Sequence, residues 1–404
     1  MKNPITKRVL IALVAPIVLL APPAAATAQE RDPDPTDGYQ NPEESLKDDL
    51  GNTAKSHDWT FEEAEAQYRV AEAIGEIAAK IAPERLDVFV GTALSEKPGG
   101  APTLYIKGEA DSFVHEVIKE SGLDVIVADQ QPFSFLELQD RNERLNRELI
   151  EIGFGDLSSG FDITAEGTIT AELAANPDLP SDPEEILKKL SEEFQKGVQL
   201  TVSDKLDNTA EHGYGGMAAY AGNRFDCTTG WTVINARGVT GVSTAGHCTG
   251  ITQAWQPGHG FIPLTFQQQH RGYWGDMEWH TTPGHVDRAE FYAHANYRRD
   301  TLSVEPWWGF TVGESICMFG RATNVRKCGL DVQNPWWSCT FEGGFHTQSL
   351  VRMNGDVTIG GDSGGGWSWN NRAYGSHVGD CGGKNVFSRV DDMNEAIGVS
   401  VLTQ

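Results

Sequence analysis

Residues 360–366 read Gly360-Gly361-Asp362-Ser363-Gly364-Gly365-Gly366, a serine set among five glycines. A serine hydroxyl is a poor nucleophile near neutral pH until a positioned base takes its proton, and histidine is the side chain best matched to that task. Glycines on either side let the backbone bend sharply, so that the amides of Gly361 and Ser363 can point at a developing oxyanion. Upstream, Thr244-Ala245-Gly246-His247-Cys248 ends a strand-like run and supplies a histidine. Between the two lies Gly275-Asp276-Met277-Glu278-Trp279, whose Asp276 offers a carboxylate to orient the imidazole. Asp287, in Gly284-His285-Val286-Asp287, is the second candidate. Either acid alone also reads as an ordinary turn residue.

The surroundings of these motifs are uniform in texture. From Gly213 onward short strand-like runs such as Trp231 to Ile234 and Gly238 to Val242 are punctuated by glycine, and only the very end could be helical. Many short strands with turn signals predict an all-β sandwich or barrel. Charge sets this half apart from the rest. Residues 211–404 hold 13 Lys and Arg against 17 Asp and Glu, so nearly all of the net −25 lies in the first 210 residues. Ten of the 11 tryptophans and all six cysteines also fall in the second half, which marks two regions of different construction. A net charge this negative argues against nucleic acid and anionic membrane surfaces as partners, because holding their phosphates needs clustered Lys and Arg.

Taken together, TAGHC around His247, GDSGGG around Ser363 and the Gly-Asp pair at Asp276 resemble the chymotrypsin-fold serine proteases, in particular the secreted bacterial branch of α-lytic protease and streptogrisin type. The order His, Asp, Ser is that family's order. The resemblance covers roughly residues 213–404. It implies two antiparallel six-stranded β-barrels, a catalytic triad of His247, Asp276 and Ser363, an oxyanion hole from the amides of Gly361 and Ser363, protein or peptide substrates, and no cofactor or metal. It also implies disulfides. Six cysteines in an exported chain allow 15 connectivities; the family pattern pairs Cys227 with Cys248 and Cys317 with Cys328, leaving Cys339 and Cys381 to each other.

The sequence departs from the family in three places. Cys339 lies 24 residues before Ser363, where the family keeps a cysteine close to the nucleophile. Gly366 stands where proline is common. Met318 follows Cys317 where an arginine often pairs with the aspartate before the nucleophile, so Arg321 is the substitute expected for Asp362. At the floor of the substrate pocket the register gives Val357, then Thr358 and Ile359, with Asp356 adjacent. That predicts an apolar rather than basic residue on the acyl side of the cut.

The front of the chain reads as processing and precursor material. Lys2, Lys7 and Arg8, the apolar run Val9 to Leu20 and Ala26-Thr27-Ala28 make a secretory signal over residues 1–28, too short in its apolar core to span a membrane. Residues 29–58 read as a flexible acidic leader. Residues 59–210 read as small α/β units. Val70, Ala71, Ile74, Ile77, Ala78 and Ile81 fall on one helical face, ended by Pro83. Asp87 to Thr92, Thr103 to Ile106 and Leu123 to Val127 read as strands, Ser112 to Ser121 and Phe135 to Ile152 as helices. Asp162 to Glu172 reads as a strand, Ser181-Asp182-Pro183-Glu184 as the start of a helix running to Lys196, and Val198 to Val202 as a last strand. Polar Ser203 to Glu211 is the expected boundary and cleavage segment. The family likeness implies that this pro-region assists folding and inhibits the enzyme until it is removed outside the cell. Two other classes compete. A lipase-type elbow also fits Gly361-Asp362-Ser363-Gly364-Gly365, but it needs a histidine well after the serine, and His377 comes too soon. A catalytically inactive, protease-fold binding protein is the second alternative.

Overall fold

Phe61–Ile81 forms a helix because Thr60 caps its first turn and Glu63 returns the bond to the Thr60 amide. Its apolar stripe of Ile74, Ile77, Ala78 and Ile81 is fully buried. It is the second helix, α2, of a computed structural model describing residues 38–204, 216–256, 260–341 and 343–404. The signal-like segment and most of the expected cleavage segment lie outside the described residues.

The leader expectation is corrected from Gly38 onward. Pro42–His57 is a helix, α1, with an Asn41 capping box and Pro42 in its first turn. Its buried face carries Ser45, Asp49, Leu50, Thr53 and Ala54, so few of its inward residues are apolar. The apolar periodicity that marks a helix is therefore faint there. Ser112–Ser121 (α3) and Phe135–Ile152 (α4) run where expected. Phe89–Ala93 and Thr103–Lys107, before α3, and Ile126–Gln131, between α3 and α4, pair into a sheet, the last two in parallel. The strand expected from Asp162 to Glu172 is instead a hairpin, Leu157–Asp162 with Thr168–Ala174, turned by Ile163–Ala165. The helix capped by Asp182 stops at Leu187 rather than Lys196, giving way to a 3-10 turn at Glu192–Phe194. Val198–Ser203 then adds in parallel to Thr168–Ala174.

The C-terminal half is nearly all β. Ser315–Phe319, Gly366–Trp369, Arg372–Asp380, Asn385–Arg389, Phe345–Met353 and Lys327–Phe341 pair in that order, and the last pairs back to the first, closing an antiparallel ring. Of the preceding strands, Glu290–His294 and Tyr297–Asp300 pair with each other, the latter taking Gly38–Tyr39 in parallel, and the earlier ones pair as two sheets. One holds Thr265–Gly272, Gly275–Thr281, Thr240–Thr244, Thr232–Asn235 and the terminal Val399–Val401; the other holds Gly260–Pro263, Gln253–Gln256, Ala218–Ala221 and Arg224–Thr228. The short helix Met393–Ile397 precedes the last strand. All three expected disulfides are formed: Cys227–Cys248, Cys317–Cys328 and Cys339–Cys381.

The two regions share one compact unit and are stitched edge to edge. Leu157–Asp162 pairs antiparallel with Lys327–Phe341, matching Trp337 to Gly160 and Cys339 to Ser158. This is strand addition, in which main-chain hydrogen bonds continue a sheet across a boundary. Gly160 is required there: a Cβ would lie 2.1 Å from the Trp337 ring. Asn146 of α4 donates to the Ser338 hydroxyl at 3.0 Å, and Asn334 to the Phe161 carbonyl at 2.8 Å. At the far end Thr311–Val312 pairs with Phe89–Ala93, so each region lends a strand to the other's sheet.

Candidate active site

Strand Thr240–Thr244 ends at the histidine motif, and the Cys227–Cys248 bond ties that turn to strand Arg224–Thr228. His247 is buried, and its Nδ1 lies 2.7 Å from Asp276 Oδ2. Asp276 is itself fully buried on strand Gly275–Thr281, its amide donating to the Ser388 hydroxyl at 2.9 Å. Gly246 makes the approach possible, since a Cβ there would sit 2.5 Å from Asp276 Oδ1. The structure thus brings His247 to Asp276. Asp287 instead accepts the Thr282 hydroxyl at 2.7 Å within its own loop.

The serine loop is anchored to the histidine loop through Thr228. Its amide donates to the Ser363 carbonyl at 3.2 Å and its hydroxyl to the Gly361 carbonyl at 3.2 Å, while its own carbonyl accepts the Thr244 hydroxyl. Gly364 adopts φ +87°, and a Cβ on it would lie 2.3 Å from the Thr228 carbonyl oxygen. Gly361, at φ +123°, also takes a conformation that side chains rarely adopt. Ser363 is fully buried, with its hydroxyl 3.3 Å from the Val378 carbonyl.

Asp362 corrects one expectation. Arg321 is engaged elsewhere, donating to the Gly216 carbonyl at 3.0 Å and stacking over Tyr292. Asp362 is held by amides: Oδ1 accepts from Ala322 and Thr323, each at 3.0 Å, and Oδ2 from Ile359 at 3.1 Å. Burial pushes its carboxyl above the usual range, against those hydrogen bonds and the charge of nearby His377.

His377, weighed in the sequence only as the base of a lipase-type elbow, and Ser388, which no motif singles out, are further neighbours of the site. His377 exchanges backbone bonds with Gly364 and Gly365 at 2.7 and 2.8 Å, and its ring accepts from Trp367 Nε1 at 3.4 Å. No local motif marks either residue. His377 is found only by pairing strand Arg372–Asp380 with the glycine loop, and Ser388 only by laying strand Asn385–Arg389 against Gly275–Thr281. Val357 and Thr358, at the expected pocket floor, are tied to Asn385, which accepts from the Val357 amide at 2.9 Å and donates to the Thr358 hydroxyl at 2.7 Å.

A serine-type peptidase of chymotrypsin-like fold is the class these features define. The chain is 28% identical over 154 residues to "Serine protease 2" of Streptomyces fradiae, a stretch that makes up 37% of this chain and 84% of that protein. No family model matches. Among solved structures, a glutamic-acid-specific serine protease described as using a histidine triad in substrate binding is 23% identical, with all of that chain and 47% of this one covered and a TM-score of 0.39. The chymotrypsin of Cellulomonas bogoriensis is 26% identical, with 98% of that chain and 47% of this one covered and a TM-score of 0.38.

Proposed function

We propose that the chain is an exported serine endopeptidase made as an inactive precursor, with His247, Asp276 and Ser363 as its triad. The observation carrying this reading is the buried 2.7 Å contact of His247 Nδ1 with Asp276 Oδ2, beside a serine loop pinned by Thr228 to the same histidine turn. With Nδ1 bound to the carboxylate, Nε2 is the nitrogen that takes the serine proton. His247 removes the Ser363 proton as the hydroxyl attacks a peptide carbonyl, and Asp276 holds the ring and stabilises its charged form. The amides of Gly361 and Ser363 receive the oxyanion, and His247 then protonates the leaving amine. Water repeats the sequence on the acyl-enzyme.

Asp276→Asn tests the assignment. In the template proteases this change costs about 10⁴ in kcat because the imidazole takes the wrong tautomer; Asp287→Asn should leave kcat within a few-fold, and the reverse ranking would reassign the acid. The apolar pocket floor at Val357 predicts cleavage after apolar residues, and a peptide panel cut chiefly after Arg or Lys would contradict it.

Residues 59–210 act as a pro-region that inhibits and assists folding, in keeping with the strand addition at Leu157–Asp162 and the lent strand at Thr311–Val312. Many non-local β pairings fold slowly, which gives such a template a purpose. Three disulfides and the signal-like start support an extracellular enzyme. No helix among the described residues is long and apolar enough to cross a membrane. N-terminal sequencing of the secreted product should give a start within or close to residues 203–211; a start near residue 31 would defeat the precursor reading.

A further inference from the structure

Helix α1 points a carboxylate into the C-terminal half. Asp49 is fully buried and sits in a helical stripe otherwise made of Ser45, Leu50, Thr53 and Ala54. Arg326 grips it with two nitrogens, Nε to Oδ1 at 2.7 Å and Nη2 to Oδ2 at 2.9 Å. Arg299 Nη1 donates to Oδ2 at 2.8 Å, and so does the Asn370 amide at 2.8 Å. The disulfide-bonded Cys328 sulfur lies 3.8 Å from Oδ1. Asp48, on the same turn, accepts from Arg299 Nη2 at 3.2 Å and from the Tyr297 hydroxyl at 2.8 Å.

The receiving groups belong to the peptidase half. The Arg299 side chain is 0% exposed and that of Arg326 2%. Arg326 is fixed by Ser368, donating to its hydroxyl at 2.9 Å, and Arg299 donates to the Asn370 carbonyl at 3.2 Å. Burial pushes Arg299 below its usual range, and the adjacent Arg326 charge adds to this. Burial likewise pushes the Asp49 carboxyl up, but the charges of Arg326 and Arg299 outweigh it and hold it below its usual range. Guanidinium groups do not give up their protons in proteins. Two of them side by side and buried need an anion between them, and removing one partner of such a set is strongly destabilising. A guanidinium fork fits two oxygens of a carboxylate or phosphate equally well.

We propose that Arg299, Arg326 and the Asn370 amide form an anion-binding socket of the peptidase half, filled by the Asp49 carboxylate in the intact chain and by a small oxyanion, carboxylate or phosphate, once the N-terminal region has been cut away. The exchange of ligand rests on the precursor reading. The socket itself does not.

Asp49→Ala tests the socket in the uncut chain, made with Ser363→Ala to prevent self-digestion. Alanine keeps the helix and vacates the space. In sodium chloride its Tm should fall by about 5 °C relative to the Ser363→Ala parent. Sodium formate or phosphate at equal ionic strength should restore at least half of that loss beyond any shift of the parent. Asp49→Asn, which fills the space with a neutral amide, should lose stability without the anion response. Equal behaviour of the alanine variant in all three salts overturns the socket. If that variant folds only with help, refolded yield in formate against chloride gives the same reading. The exchange is tested by placing a site-specific protease sequence within residues 205–215 of the parent and cutting it. Phosphate should then weaken association of the fragments about 10-fold relative to chloride, and not weaken it for the Asp49→Ala fragment; no difference between the salts overturns the exchange.

Discussion

Glycine does opposite things in the packed strands of the peptidase half and in the first two helices. In the peptidase half it marks places where other atoms already occupy the position of a side chain: a Cβ would lie 2.0 Å from the His280 carbonyl at Gly241, 2.0 Å from the Phe387 ring at Gly375 and 2.3 Å from the Thr228 carbonyl at Gly364. In α1 and α2, Gly51 and Gly75 face open space with nothing within 4 Å. The first set is imposed by close approach of backbone and rings, while the second only weakens its helices. Disulfides divide the same way, all three lying in the peptidase half. One region is made rigid around a buried site; the other is capped helices and short sheets laid against it.

A graded series of variants tests this difference between the regions. Largest, Ser363→Ala should lower kcat/KM by about 10⁴-fold or more while leaving secretion and the disulfides as they are, because the change removes chemistry and not packing. Next, Gly364→Ala should cost several kcal/mol in denaturant unfolding, on the order of 3–5, since it combines a clash with a left-handed backbone; a value under 1 kcal/mol would mean that the serine loop is not held as described. Gly160→Ala should act on the seam between regions. It should weaken docking of a cut N-terminal region by roughly 10-fold or more and leave peptidase activity after removal of that region unchanged.

The fourth member is pH dependence. Glu314 and Glu305 lie in the peptidase half near α2, with Arg372 Nη1 donating to Glu305 at 2.9 Å and to Glu72 of α2 at 3.1 Å. Tyr374 donates to Glu314, and the Thr311 amide faces it at 3.4 Å. Burial pushes Glu314 up to about 8 and Glu305 up to about 7, with Glu305 adding to Glu314 and Arg372 opposing in both. A carboxyl whose folded value is raised binds its proton more tightly in the folded chain. Its contribution is therefore full below about pH 4.5 and is lost as pH rises through about 8. Unfolding free energy should fall across that window, and Glu314→Gln should flatten the upper part of the fall. An unchanged slope would contradict the assignment. Smallest, Gly75→Ala should stabilise by about 0.5–1 kcal/mol, read from the denaturant midpoint.

How much was legible in the sequence follows the same division. The peptidase motifs announce themselves because each neighbour has a mechanical reason that is local: Gly246 admits Asp276, and Gly364 admits Thr228. Helices α3 and α4 could be placed because their apolar periodicity and caps are local too. Helix α1 was hidden, since its buried face holds Asp49, Thr53 and Ser45, which become inward residues only when Arg299 and Arg326 arrive from some 250 positions away. Asp362 failed for the same reason: amides of Ala322, Thr323 and Ile359 replace an arginine, and amides carry no sequence signal. His377 and Ser388 enter through strand register alone.

Ser363 is proposed to act as a nucleophile activated by His247. Labelling the secreted protein with a serine-directed fluorophosphonate and mapping the modified peptide tests it most directly. A single adduct on Ser363 is expected, absent from the Ser363→Ala and greatly slowed in the His247→Ala protein. An unlabelled Ser363 in folded, disulfide-bonded protein freed of its N-terminal region would contradict it and point to a protease-fold binding protein instead.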